Sequence, residues 1–241
     1  MLIQPFKILP FNQHYEGEYS DREIEWRRVC AIDKVSNILA LLGGQQVQSV
    51  LEVGCGTGAV LAELKQRGIG TSHQGIDIAE PGEHTDANAK NLSLAEYDGQ
   101  NIPFADGAFD FVYASHVVEH VANPRAFVIE IARVSRRLVY LEVPCELHFR
   151  TKHSEMQNSV DIGHINAFTP ESFCLLGQTS GLKIIDTGLF DHSVEVHQFH
   201  TSPIKGRIKM KLRRTLLSMS PVLASRIFTY HCGILCSPMS G

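Results

Sequence analysis

The stretch "LEVGCGTG", Leu51–Gly58, decides how the rest of the chain is read. It follows "VQSV" and precedes "AVLAELKQRG". The apolar run Val47–Val53 has β-branched residues and no helical period, which predicts a buried strand. Thr57–Arg67 puts Val60, Leu61 and Leu64 on one face with Gly68 as a stop, which predicts a helix. Between the two sit Gly54, Gly56 and Gly58. Glycines at a strand-to-helix turn let the backbone bend sharply and approach a ligand closely.

The turn alone leaves the ligand open. Gly54-x-Gly56-x-x-Ala59 satisfies the dinucleotide fingerprint, with Asp77 about where a ribose-binding acid belongs. Glu52 argues against that ligand, because a carboxylate two residues before the first glycine repels a pyrophosphate. Two like charges about 4 Å apart cost about 4 kcal/mol at an effective dielectric near 20. A cationic ligand end is welcome there instead. S-adenosylmethionine offers an ammonium and a sulfonium, with ribose hydroxyls further along.

At 241 residues, with 44% hydrophobic and 20% charged residues, the chain suits one soluble domain with an appendage. No apolar run reaches the roughly 18 residues of a bilayer span, and no secretory pattern opens the chain. A cytoplasmic location is expected. The six cysteines have no framework spacing, which suits reduced thiols. Charge is uneven. From Ser202 onward there are seven basic residues and no acidic one, so the net −4 of the chain leaves −11 on residues 1–201.

Residues 1–19 read as irregular, with Phe6, Phe11, Tyr15 and Tyr19. Ser20-x-x-Glu23 is a capping box opening a helix to Leu42, which Gly43-Gly44 ends. Strand 47–53, helix 57–67, strand 73–78, a polar helix near 83–93 and strand 94–98 follow. Strand 108–115, helix 124–136 and strand 137–143 come next. This alternation predicts a parallel sheet wrapped by helices. Residues 144–168 read as a long polar loop, too long for an ordinary connection. Thr169-Pro170 opens a helix to Gly181, Leu182–Thr187 is a strand, and 194–200 alternates as a possible antiparallel partner to it. The organisation expected is a cap segment 1–44, a ligand-binding domain 45–201 and a basic, apolar extension 202–241.

"VLEVGCGTG", "GIDIAE", "YDGQNIPFADGAFDFVYASHVVEHV" and "HINAFTPESF…SGLKIID" stand in the order seen in class I S-adenosylmethionine-dependent methyltransferases, and residues 47–187 most resemble their small-molecule branch. The resemblance implies a Rossmann-like, doubly wound α/β fold of seven strands, the last antiparallel. It implies S-adenosylmethionine as cofactor, held by Glu52, Gly54, Cys55, Gly56, Thr57, Gly58, Asp77, Ile78, Asp98, Gly99 and Ser115. Glu52 and the glycines would surround the methionine part. Asp77 would accept from the ribose hydroxyls, since a carboxylate offers two acceptor oxygens to a vicinal diol. Asp98 would face the adenine amino group, its alternative being a turn cap.

The segment "ASHVVEH" meets sulfonium and substrate in this superfamily. It lacks the Asn/Asp-Pro-Pro-aromatic motif of methyltransferases acting on nucleobase or glutamine nitrogens. His116, and His164 in "GHINAF", are the candidate general bases for a hydroxyl acceptor. Cys145 reads as an idle thiol. His148, His153 and His164 with Glu146, Glu155 and Asp161 have no HExxH-type spacing, so no metal is assigned. The expected activity is methyl transfer to an oxygen of a small-molecule or glycan-type acceptor. A non-catalytic cofactor-binding protein and an NAD-dependent oxidoreductase are the alternatives. For "IKGRIKMKLRRTLLSMS" three roles compete: docking on the acidic body, peripheral contact of 204–219 with an anionic inner-membrane surface, and grip on a polyanion. Nucleic acid ranks last, for want of a reading module. The oligomeric state is left open.

Overall fold

The computed structural model describes residues 4–8, 20–79, 85–199 and 201–239. Phe11, Tyr15 and Tyr19 lie outside these, as do Glu80, the first residues of the expected helix 83–93, and His200. Seven strands form one sheet: β1 Ser49–Val53, β2 Ser72–Asp77, β3 Ser93–Glu96, β4 Phe109–Ser115, β5 Ser135–Pro144, β6 Leu182–Phe190 and β7 His231–Pro238. Their order is β3-β2-β1-β4-β5-β7-β6. Pairings from β3 through β5 are parallel, and β7 runs antiparallel to both β5 and β6. This is the doubly wound seven-stranded sheet with an antiparallel last strand.

The helices are α1 Asp21–Leu42, α2 Ala59–Gln66, α3 Pro124–Val134, α4 His153–Asp161, α5 Pro170–Gln178, α6 Val194–Phe199, α7 Pro203–Met219 and α8 Pro221–Ser225. Alternation along the strands builds two cores. Leu51, Val53, Val112 and Leu141 face one layer with Phe127 and Ile131 of α3 and Phe173 of α5. Val50, Phe111, Tyr113 and Tyr140 face the other, with Val35 and Ile38 of α1 and Leu61 of α2. The capping box stands as expected: Glu23 N donates to Ser20 Oγ and Ser20 N to Glu23 Oε2. Gly43, at φ 57°, closes α1.

Four elements depart from the sequence reading. Residues 194–199 are helix α6, not a strand: adjacent Val196 and His197 are both buried, and Ser193 caps the turn. The antiparallel partner of β6 is β7, which comes from the segment expected as an extension beyond residue 201. The helix expected near 83–93 is a single 3₁₀ turn at Ala87–Ala89, where the buried Asp86 carboxylate takes Asn88 N and Arg28 Nε. The loop 144–168 contains α4, which buries none of its residues and so has no apolar stripe to betray it. Residues 4–8 lie against α4: Phe6 stacks on His153, and Lys7 exchanges hydrogen bonds with Gln157.

Candidate active site

The glycine turn rises from the C-terminal end of β1, where ligands bind in open α/β sheets. Gly54 and Cys55 donate their N–H groups to Ile76 O, and Gly56 N donates to Asp77 Oδ2 at 2.6 Å. Asp77 therefore buttresses the turn. Its Oδ1 accepts from Ala79 N at 3.3 Å. Gly54 has φ 80° and lies against Val117, while Gly58, at φ 74°, caps α2. Cys55 and Thr57 are buried in the turn. Gly99 packs on Ile78, so the ends of β2 and β3 stand side by side. Asp98 caps its own turn, accepting from Gln100 N, Asn101 N and Asn101 Nδ2.

Glu52 is 2% exposed, and its Oε2 has no hydrogen-bond partner among the described residues. Burial pushes its carboxyl up to about 8, against the opposing pull of Lys34. Burial thus favours the neutral acid over the fixed anion of the sequence reading, and a cation beside it favours ionisation.

Ser115 ends β4 beside the turn. Its hydroxyl donates to Glu142 Oε1 at 3.2 Å, and its carbonyl accepts from Lys34 Nζ, so the side chain joins a polar cluster under α1. His116 belongs to the same cluster. It sits at φ 61°, the one positive φ at a non-glycine among the described residues. Its Nε2 lies 2.8 Å from His231 Nδ1 and 3.3 Å from Glu142 Oε1, and its Nδ1 is 3.5 Å from Glu119 Oε1. Both ring nitrogens thus face protein groups, which disfavours His116 as a base toward an acceptor. Burial holds it well below the usual histidine range.

His164 is oriented differently. Its Nδ1 meets Glu146 Oε2 at 3.0 Å, and Ser159 Oγ donates to the other oxygen of Glu146. Burial pulls His164 down, but the Glu146 contact outweighs it and the net shift is upward. Ile165 N and Asn166 N both donate to Glu119 O, strapping this loop onto the segment after β4. Glu119 is fully buried, and neither carboxylate oxygen has a hydrogen bond among the described residues. Burial pushes it up to about 7. Cys145 is fully buried in the core. An open groove of about 800 Å³, lined by Leu147, Phe149, Met156 and Arg226 among others, contains none of the glycine-turn residues.

The sequence reading missed Lys34, Asn37, Glu142, His192 and His231. They come from α1, β5, the loop after β6 and β7, and no local spacing links them.

A family model described as a methyltransferase domain matches residues 22–187. The chain belongs to the methyltransferase-domain family. The O-methyltransferase rstn1 of Aspergillus nomiae is 32% identical over 127 residues, covering 50% of this methyltransferase domain chain and 56% of that protein. The chain spans between 32% and 59% of the length of the curated relatives it matches. Among solved structures, phosphoethanolamine N-methyltransferase 2 of Haemonchus contortus, complexed with S-adenosyl-L-methionine, has a TM-score of 0.68 at 13% identity, covering 97% of this chain and 61% of that one. The [4+2]-cyclase SpnF has a TM-score of 0.59 at 16% identity, covering 86% and 81%. At such identities the likeness establishes the methyltransferase-type fold and nothing finer.

Proposed function

We propose that this methyltransferase domain binds S-adenosylmethionine at the glycine turn and transfers its methyl group to an oxygen of a small-molecule or glycan-type acceptor. The observation that carries the reading is Glu52, a buried carboxyl with an orphaned oxygen beside glycines held at positive φ. Those residues fit the cofactor. Glu52 suits its ammonium, Asp77 retains acceptor capacity for a diol, and Asp98 with Gly99 stands one strand further along for the adenine. When bound, the cofactor supplies an electrophilic methyl group on a sulfonium primed to leave. The chain's own task is to orient the acceptor and take its proton, and orientation alone can contribute several kcal/mol. His164, with Nδ1 held by Glu146, is the base this reading favours, and His116 is the alternative. The name of the Aspergillus relative supports oxygen as the acceptor atom, while the cyclase neighbour shows that this fold also serves other reactions.

Calorimetry at pH 7 in buffers of different ionisation enthalpy tests the cofactor site. S-adenosylmethionine should bind and NAD should not. Burial raises the Glu52 carboxyl to about 8 and so favours its protonated form in the free protein, while a cation beside it favours the ionised form. Binding should therefore release up to about one proton per site, and Glu52→Gln should abolish that release. NAD binding in preference would sink the reading. A screen of hydroxylated acceptors with methyl-labelled cofactor then separates an enzyme from a silent binding protein.

We further propose that α7 contacts an anionic membrane surface. At 100° per residue, Ile204, Ile208, Leu212 and Met219 form one outward stripe, opposite the buried Gly206 and Arg213. Lys205 and Lys209 flank it on one side, Arg207, Lys211 and Arg214 on the other. Among the described residues Arg213 is the one cation of this segment with a salt bridge, so docking on the acidic body engages little of its charge. An apolar stripe between basic rows suits a lipid interface, where each basic residue adds about 1 kcal/mol. No described helix is long and apolar enough to cross a membrane. The chain should pellet with phosphatidylserine-containing vesicles, and Ile208→Asp/Leu212→Asp should stay in the supernatant. Equal, negligible pelleting of both would refute the contact.

A further inference from the structure

We propose that His116, Glu142 and His231 form a binding site for a divalent transition-metal ion. The residues lie at 116, 142 and 231 in the chain, yet one ligand atom from each falls within 4.8 Å of the others. The sheet order causes this: β4, β5 and β7 are neighbours, so the residue after β4, one near the end of β5 and the first of β7 converge.

The group is built as metal ligands are built, with the far side of each ligand held by a second group. His116 turns Nδ1 toward Glu119 at 3.5 Å, an ion-pair distance and not a hydrogen bond, keeping Nε2 for the cluster. His231 Nε2 meets His192 Nε2 at 2.9 Å, and His192 Nδ1 stands 3.6 Å from Asp33 Oδ2. Glu142 Oε2 accepts from Tyr140 Oη and from Asn37 Nδ2, while Oε1, which also accepts from Ser115 Oγ, faces His116 Nε2 at 3.3 Å. Two nitrogens on one ion, each bonded at about 2.1 Å, lie about 3.0–3.4 Å apart. The observed 2.8 Å between His116 and His231 needs only a few tenths of an ångström of opening.

Without an ion, the three imidazoles can satisfy one another as a hydrogen-bonded chain. Two observations point past that. Glu119 is fully buried behind His116 with both oxygens lacking hydrogen bonds, and His116 accepts a left-handed backbone to keep its ring in place. The charge is also one-sided. Glu119 and Glu142 are buried beside His116, while Lys34, the lysine of α1 that reaches in, gives its Nζ to a backbone carbonyl. Two imidazoles and one carboxylate favour Zn²⁺, Co²⁺, Fe²⁺ or Ni²⁺ over Mg²⁺ or Ca²⁺. His192, whose side chain is 31% exposed, marks a way in.

The test is titration of the metal-free full chain with Co²⁺, followed by its visible absorption and by calorimetry, with Zn²⁺ in competition. One saturable site is expected, with Zn²⁺ displacing Co²⁺ and Mg²⁺ failing to. His231→Ala should weaken Co²⁺ binding by more than about 100-fold. His192→Asn, at a partly exposed position that leaves the core intact, should weaken it by about 10–100-fold. No saturable binding to the wild-type chain would overturn the assignment. So would loss of binding in His164→Ala with retention in His231→Ala and His192→Asn, which would put the ion at the neighbouring group Glu119, His120 and His164. These readouts involve no methyl transfer, so they stand or fall apart from the proposed activity.

Discussion

Replacing Arg213 by alanine is expected to destabilise the fold by about 3–5 kcal/mol, the scale for removing one partner of a buried ion pair, with His197 left as the remaining partner of Asp191. Arg213 projects from α7 into the protein, where Nε donates to Asp191 Oδ1 at 2.6 Å and Nη2 donates to Thr229 O. The guanidinium lies over the rings of Tyr230 and Phe228, at 4.4 and 5.3 Å from their centroids. Burial pushes the Asp191 carboxyl up, but His197 and Arg213 outweigh it and hold Asp191 below the usual range. With the side chain of Asp191 1% exposed, water cannot take over from the lost guanidinium. The same residue fixes the approach to β7, because Thr229 and Tyr230 lead directly into His231. At roughly 2–4 °C per kcal/mol for a chain of this size, the melting midpoint should fall by about 6–20 °C. Arg213→Lys should recover only part of this, since an ammonium cannot pair, donate to the carbonyl and stack at once. A midpoint for Arg213→Ala within 2 °C of wild type would mean that β7 is held by sheet pairing alone.

Arg213 also illustrates why the back of the chain resists reading from sequence. In "IKMKLRRTLL" it is one basic residue among several, and nothing local separates the buried guanidinium from its exposed neighbours. The front of the domain is legible because its signals are local. An apolar strand, three glycines and an apolar helical face are contiguous, and Ser20 and Glu23 cap α1 from three residues apart. β7 offers no such signal. "HCGILC" is short and carries a central glycine, and its partners β5 and β6 lie at least 41 residues upstream. Val194 to Phe199 mimics a strand by alternation, yet Ser193 and burial of two adjacent residues make it helical. At the candidate site, the positions of Glu52 and Asp77 follow from the turn. The protonation of Glu52 does not, because it depends on α1 and β4 covering it. His231 is invisible as a neighbour of His116 until β7 is placed.

Gly54→Ala is expected to abolish cofactor binding while leaving a folded but weakened domain. The position has φ 80°, and a left-handed conformation costs an L-residue about 1–2 kcal/mol. A β-carbon there would stand 2.4 Å from Val117 Cγ2, 3.0 Å from Cγ1 and 3.3 Å from Cβ. Rotating the Val117 side chain moves one methyl away and brings the other in, so the segment after β4 must move instead. Overpacking of that kind costs about 1–3 kcal/mol. The sum is roughly 2–5 kcal/mol, and the displaced segment carries His116 and Glu119. Affinity for S-adenosylmethionine should fall by more than about 100-fold, since the turn and its neighbour shift together. Val117→Ala added to Gly54→Ala removes the clash but not the strained φ. The double variant should regain about 1–3 kcal/mol of stability and part of the binding. If Gly54→Ala alone binds the cofactor within threefold of wild type, the glycine turn is not where the methyl donor sits.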